Sequence, residues 1–281
     1  VLSGNFIFSA FVNNDDPSSR SWFSVYYLLA GLTAIAFLLL LTTPLDETSV
    51  KEAEKKEAKS LSDDFSGMLK LIILPLVIVF IGCAFFYVLI EQSIMSWLPT
   101  FNKDVIKLNT SLSIQMASIM SASIALGRFL AGMLLRKIEW IYVLSGCLLA
   151  AAGLVLITVP LTGSISGQTI SHLRDVPMVA YAFPLIGLFL APVYPAINSV
   201  ILSNLPAHKH ASMSGLIVVF SALGGTTGSI ITGHIFEAWG GQTAFYFFLV
   251  PICLLMVLLY IFKKVQPPTV AVTISGNGVS H

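Results

Sequence analysis

The sequence predicts an all-α polytopic membrane protein, and three observations carry that prediction. Of its 281 residues, 56% are apolar and only 10% are charged, against roughly 25% charged in soluble domains. Seven stretches have the length and apolar character that a helix needs to cross a hydrocarbon core. The formal net charge is +1, so no broad basic field marks a polyanionic partner. A soluble enzyme, a nucleic-acid binder and a disordered chain are excluded on composition alone. The mean hydropathy of +0.87 agrees.

Val1–Val12 is apolar but too short to cross, and it lacks the basic start and small-residue cleavage site of a signal peptide. It reads as the stump of a span, and the chain as a piece of a longer protein. Trp22–Leu41 is the first full span. The charged segment Thr42–Lys70 is rich in Ala, Glu and Lys, which favours a solvated helix with charge pairs four residues apart. Leu71–Ile90 is the second span, with apolar character running on to Leu98. Leu112–Leu135 is interrupted once, by Arg128. Ile141–Pro160, Met178–Ser203, Ala211–Phe236 and Thr243–Phe262 complete the set. Cys83, Cys147 and Cys253 all fall inside spans, so they form no loop disulfide framework.

Lys and Arg in short loops set orientation. One side collects Lys51, Lys55, Lys56, Lys59, Lys70, Arg136, Lys137, Lys209, Lys263 and Lys264. The other collects Arg20, Lys103, Lys107 and Arg174. The richer side is predicted to be cytoplasmic, together with the C-terminus. The expected location is a cell membrane, inner or plasma. The six spans after the charged segment form two sets of three, offset by about 100 residues. Three is odd, so the second set runs opposite to the first, an inverted 3+3 repeat.

Three motifs add a resemblance. The run Gly127-Arg128-Phe129-Leu130-Ala131-Gly132-Met133-Leu134-Leu135-Arg136-Lys137 resembles the major facilitator signature at the inner end of family helices two and eight. The family usually has an acid just before the first loop base, and Arg136 stands there instead, so an acid-based inner latch is not implied. Tyr87, Glu91 and Trp97-Leu98-Pro99-Thr100 resemble the outer end of family helix seven. Pro192-Val193-Tyr194-Pro195 resembles family helix ten. Together they resemble the fucose-permease-like sugar/proton symporter branch. The resemblance implies a partial major facilitator fold. Residues 1–41 would end the N-terminal bundle, 42–70 would form the cytoplasmic inter-bundle loop, 71–265 the C-terminal six-helix bundle, and 266–281 a cytoplasmic tail. The rest of the N-terminal bundle would lie outside this chain and serve as its partner.

Ionisable groups inside a bilayer are costly and need a reason. Glu91 and Arg128 are the two such groups. If Met68–Ser96 is one helix, its middle is Gly82 and Glu91 sits roughly 13 Å outward, an outer-gate acid. Arg128 lies roughly 7 Å inward of its own span's middle, so the two are not expected to pair. Arg128, Gly127, Gly132 and Arg136 read as gating or structural residues. Tyr87, Glu91 and Gln92 form a polar stripe, and Tyr194 and Asn198 share a face of the proline-rich span. These five are the candidate substrate-binding residues, since amides and hydroxyls suit a hydroxylated solute. Gly224 and Gly228 are a small-residue pair suited to close helix packing. Asn109-Thr110-Ser111 is a formal glycosylation triplet at chance level.

No HExxH, CxxC or GxSxG occurs, and no His, Cys or acid cluster has metal spacing. No catalytic residue, cofactor, metal or nucleic acid is therefore expected. The expected function is secondary active transport, proton-coupled uptake of a sugar or similar small polar solute by alternating access. The alternatives are a drug or metabolite exporter and, from another class, a seven-span receptor.

Overall fold

A computed structural model describes residues 23–42, 61–164, 173–206 and 209–266, with Ile7 and Ile170. The stump at Val1–Val12, apart from Ile7, lies outside the described residues, as do 43–60 of the charged loop and the tail beyond Gln266. The helices are α1 (Ser24–Thr42), α2 (Leu61–Ile72), α3 (Pro75–Asp104), α4 (Thr110–Leu134), α5 (Trp140–Leu161), α6 (Met178–Leu190), α7 (Val193–Ser203), α8 (His210–Phe247) and α9 (Leu249–Val265). Six helical stretches among the described residues are long and apolar enough to cross a membrane, and the last of them runs from His210 to Val265. Within it, Gly240 has φ 83 and ψ 165. That conformation is open to glycine and strained for any other residue. The chain reverses there. Gly215 lies at Met68 while Gly241 lies at Val105, and Phe262 has returned to Phe80. The last stretch is thus two passes.

The helix ends obey local chemistry. Pro75 opens α3, where its missing N–H costs nothing, and Leu74 before it is extended. This corrects the expectation of one helix through Met68–Ser96. α2 stops at Ile72 and α3 starts afresh at Pro75. Asn109 accepts a hydrogen bond from the Leu112 N–H at 2.8 Å and caps α4. The formal glycosylation triplet is therefore a helix start. Pro192 stands where α6 gives way to α7. Leu108 and Ile170 form a β-bridge that ties the α3–α4 turn to the chain before α6.

α3 is the central element, with α8 and α9 packed along it and α4, α6 and α7 around it. Its core face carries Val77, Phe80, Tyr87, Ile90, Ile94, Leu98 and Phe101, all fully buried. Helices in lipid associate by close packing more than by a hydrophobic drive, and two glycine seams supply it. On α8, a Cβ on Gly224 would collide with the Phe85 carbonyl, and one on Gly228 would come within 2.5 Å of Leu89 O and Ser93 Oγ. Between α4 and α6, a Cβ on Gly127 would collide with the Leu188 carbonyl, and one on Gly187 would meet Met120 and Ile124 at 3.0 Å. α1 stands apart, with Val25 its one buried residue.

Gly132 is the contrast, because nothing lies within 4 Å of a Cβ added there. Gly228→Leu is expected to destabilise the bundle by about 1–3 kcal/mol through overpacking. Gly132→Leu is expected to leave stability unchanged. Thermal unfolding in detergent checks the contrast, and equal losses in both variants would refute the seam.

Candidate functional site

The site grows from the position of Glu91 on α3. α3 runs from Pro75 to Asp104, so its middle falls between Leu89 and Ile90. Glu91 then lies within about 2 Å of mid-helix. The outer-gate expectation takes the midpoint to be Gly82. The displaced helix start moved the midpoint along the chain by about two turns.

Arg128 lies on α4 about 9 Å from that helix's middle, toward Leu134. Even so, its Nη2 is 3.9 Å from Glu91 Oε1. The expectation that the two cannot pair is therefore wrong. Side chains lean toward the N-terminus of their own helix. α3 and α4 are antiparallel neighbours, so Glu91 and Arg128 lean toward each other and close the axial gap from both sides. The Glu91 side chain is 14% exposed and that of Arg128 is 53% exposed. The carboxylate belongs to the bundle, and the guanidinium reaches it from the surface.

Tyr87, one turn before Glu91 and fully buried, donates its hydroxyl to Glu91 Oε1 at 2.8 Å. Its ring stacks on Tyr194 of α7, with centroids 5.4 Å apart and planes at 19°. The Tyr194 hydroxyl is 3.0 Å from Ser221 Oγ on α8. One chain of contacts thus joins α4, α3, α7 and α8 near the middle of α3. The break at Pro192 sets Tyr194 in the first turn of α7. Asn198 lies one turn further along α7, and its buried Oδ1 has no donor among the described residues.

Gln92 meets the far end of this chain of contacts at Ser221. It lines a 430 Å³ cleft between α3 and α8 with Ser96, Ser221, Gly225 and Thr226. A larger 590 Å³ cavity lies further toward Asp104 on the same seam, with Trp97, Thr100, His234, Phe236 and Glu237. The Trp97 indole N–H donates to the Ser229 carbonyl at 3.0 Å, and its ring stacks on Phe236. The sequence reading missed this seam as a polar face. The signal was present, because Gln92, Ser96, Thr100 and Asp104 recur every four residues and so share one helix face. Gly132 and Arg136 are exposed and lie apart from the site, toward and beyond the Leu134 end of α4. Gly127, Gly224 and Gly228 hold the helices that carry it.

Among the described residues, no three His, Cys, Asp or Glu side chains gather to hold a metal. What the arrangement offers is a partly buried carboxylate that accepts from a tyrosine, faces a cation and adjoins a polar cleft. The model of the Major Facilitator Superfamily matches residues 3–225, with a second, overlapping match over 161–278. A search of curated proteins returned no match.

Arg128→Gln leaves the partly buried Glu91 facing no cation, with an expected cost of roughly 1–3 kcal/mol. The double variant Glu91→Gln/Arg128→Gln removes both charges and is expected to be more stable than Arg128→Gln alone. Unfolding temperatures of the parent, both single variants and the double variant measure the coupling. Strict additivity would show that the pair contributes nothing.

Proposed function

The chain belongs to the major facilitator superfamily, and from that premise we propose proton-coupled transport of a sugar or similar small polar solute. The chain is a multi-pass membrane protein of a transporter family, and transport by such folds proceeds by rocking of two bundles around a midplane site. The observation that carries the finer reading is the Tyr87–Glu91–Arg128 contact at the middle of the α3 span. A carboxylate there needs a function or a partner. Protonation of Glu91 removes the negative charge that Arg128 faces. It also makes the carboxyl a donor as well as an acceptor. The link between α3 and α4 therefore differs between the two protonation states, as proton coupling requires.

Further support comes from Arg128 itself. A guanidinium half exposed at this depth needs protein or water beside it. A second bundle packed on this face, with an aqueous path between the two, supplies both. Gln92 and Ser96 in the cleft and the free acceptor on Asn198 suit the hydroxyls of a sugar. The motif resemblance to the fucose-permease-like branch points the same way. A second reading, export of an amphipathic cation, draws on the 590 Å³ cavity, where the stacked Trp97 and Phe236 adjoin Asp104 and Glu237.

In proteoliposomes that hold both bundles, Glu91→Gln is expected to lower pH-gradient-driven uptake by about tenfold or more. Substrate exchange, which moves no net proton, is expected to survive. Gradient-driven uptake at the parent's rate would reduce Glu91 to a structural acid. Loss of exchange as well would make it a substrate contact without a coupling role. Orientation has its own test. A cysteine placed at Lys107 should react with an impermeant maleimide added outside cells, and one placed at Lys264 should not. The reverse pattern would invert the topology.

A further inference from the structure

A second site lies at the opposite end of the bundle from Asp104, where α4 turns into α5. Both helices pack on α6 more than along each other. A 340 Å³ cleft opens between them, lined by Leu134, Ile138, Tyr142, Gly146, Cys147 and Phe189. The lining is almost wholly apolar. A Cβ on Gly146 would meet nothing within 4 Å, so the cleft opens outward at that point. In a membrane, lipid chains are what such a cleft meets.

The turn that joins two of the lining residues, Leu134 and Ile138, is basic. The turn between Leu134 and Ile138 is tight, with the N–H groups of Lys137 and Ile138 both donating to the Leu134 carbonyl. It presents Arg136 and Lys137, both exposed, at the end of a span, the level of lipid headgroups. The nearest acid in sequence is Glu139, and it is taken up by Lys263 at 2.6 Å. That lysine also lies 5.2 Å from the centre of the Tyr142 ring, which lines the cleft. Among the described residues neither Arg136 nor Lys137 forms an ion pair. An apolar slot in a span, capped at headgroup depth by uncompensated positive charge, matches one molecule in both chemistry and arrangement.

We propose that the α4–α5 cleft binds an anionic phospholipid, with its phosphate against Arg136 and Lys137 and the upper part of an acyl chain between Tyr142, Gly146 and Phe189. Arg136 occupies the position where an acid of this signature would latch the chain to itself. Here the turn reaches outward to the bilayer, and the bound lipid braces α4 against α5 just below Arg128. The site does not depend on which solute the protein moves.

The test uses the purified protein in detergent, delipidated and then titrated with phosphatidylglycerol or phosphatidylcholine, with bound lipid counted by native mass spectrometry. The parent should retain phosphatidylglycerol about tenfold better than phosphatidylcholine, the preference expected of two basic side chains at headgroup depth. Arg136→Gln/Lys137→Gln lies on an exposed turn and should bring the two lipids level. Gly146→Leu fills the cleft and should lower retention of phosphatidylglycerol with no change in unfolding temperature. Soluble glycerol phosphate at the same concentration should not displace the lipid. Equal retention of both lipids by the parent would overturn the site, as would a preference that survives the double variant. Unchanged retention in Gly146→Leu would overturn the acyl slot, and displacement by glycerol phosphate would make the turn a simple anion site.

Discussion

The bundle depends on how closely α8 approaches α3. Lipid tails are as apolar as any leucine, so burial alone gives two helices in a membrane little reason to meet. Contact has to come from surfaces that fit backbone to backbone. At Gly224 and Gly228 the carbonyls of Phe85 and Leu89 take the space a side chain would fill. That approach brings Ser221 within reach of Tyr194 and opens the Gln92 cleft just beside the seam. α9 then packs on the same central helix, through contacts such as Phe262 on Phe80. A methyl group added to α8 at either glycine would disturb the seam and the site together.

Much of this architecture was legible in the amino-acid order. The spans were marked by long uncharged runs, and Pro192 marked the break between α6 and α7. Gly224 and Gly228 could be read as packing residues from their spacing alone. The place of Glu91 along its helix was not legible, because it hung on where α3 begins. Leu71–Ile73 is as apolar as the first turns of α3, and hydropathy gives no boundary there. Only the extended Leu74 before Pro75 does. The pairing with Arg128 was hidden for a different reason. Axial rise places Cα atoms, whereas charge meets charge at the tips of long side chains that lean toward helix starts. In an antiparallel pair that lean closes a gap of about two turns. Gly187, which faces Met120 and Ile124, carried no signal, since one glycine in an apolar helix has no pattern to betray its partner.

The site spans four helices, and this bears on how it can act. Arg128, Glu91 with Tyr87, Tyr194 and Ser221 stand on α4, α3, α7 and α8. A change at the carboxylate is therefore felt at once by helices from both sets of three. The aromatic stack between Tyr87 and Tyr194 makes the coupling stiff, since rings 5.4 Å apart slide only with difficulty past neighbours that fill the space around them. Such a network suits a two-position device more than a graded one.

Gly240 turns the chain between the last two passes without a connecting loop. Gln242, two residues on, already donates to Thr162 on the chain just beyond α5. A hairpin folded at one residue has no slack. Its two arms form a single lever, pinned at the bend, and a tilt imposed on one arm must reappear in the other. The far ends of that lever lie beside α2 at Gly215 and beside Glu139 at Lys263. Motion begun at the middle of the spans is thereby carried to the loops at one end of them, with the bend as fulcrum.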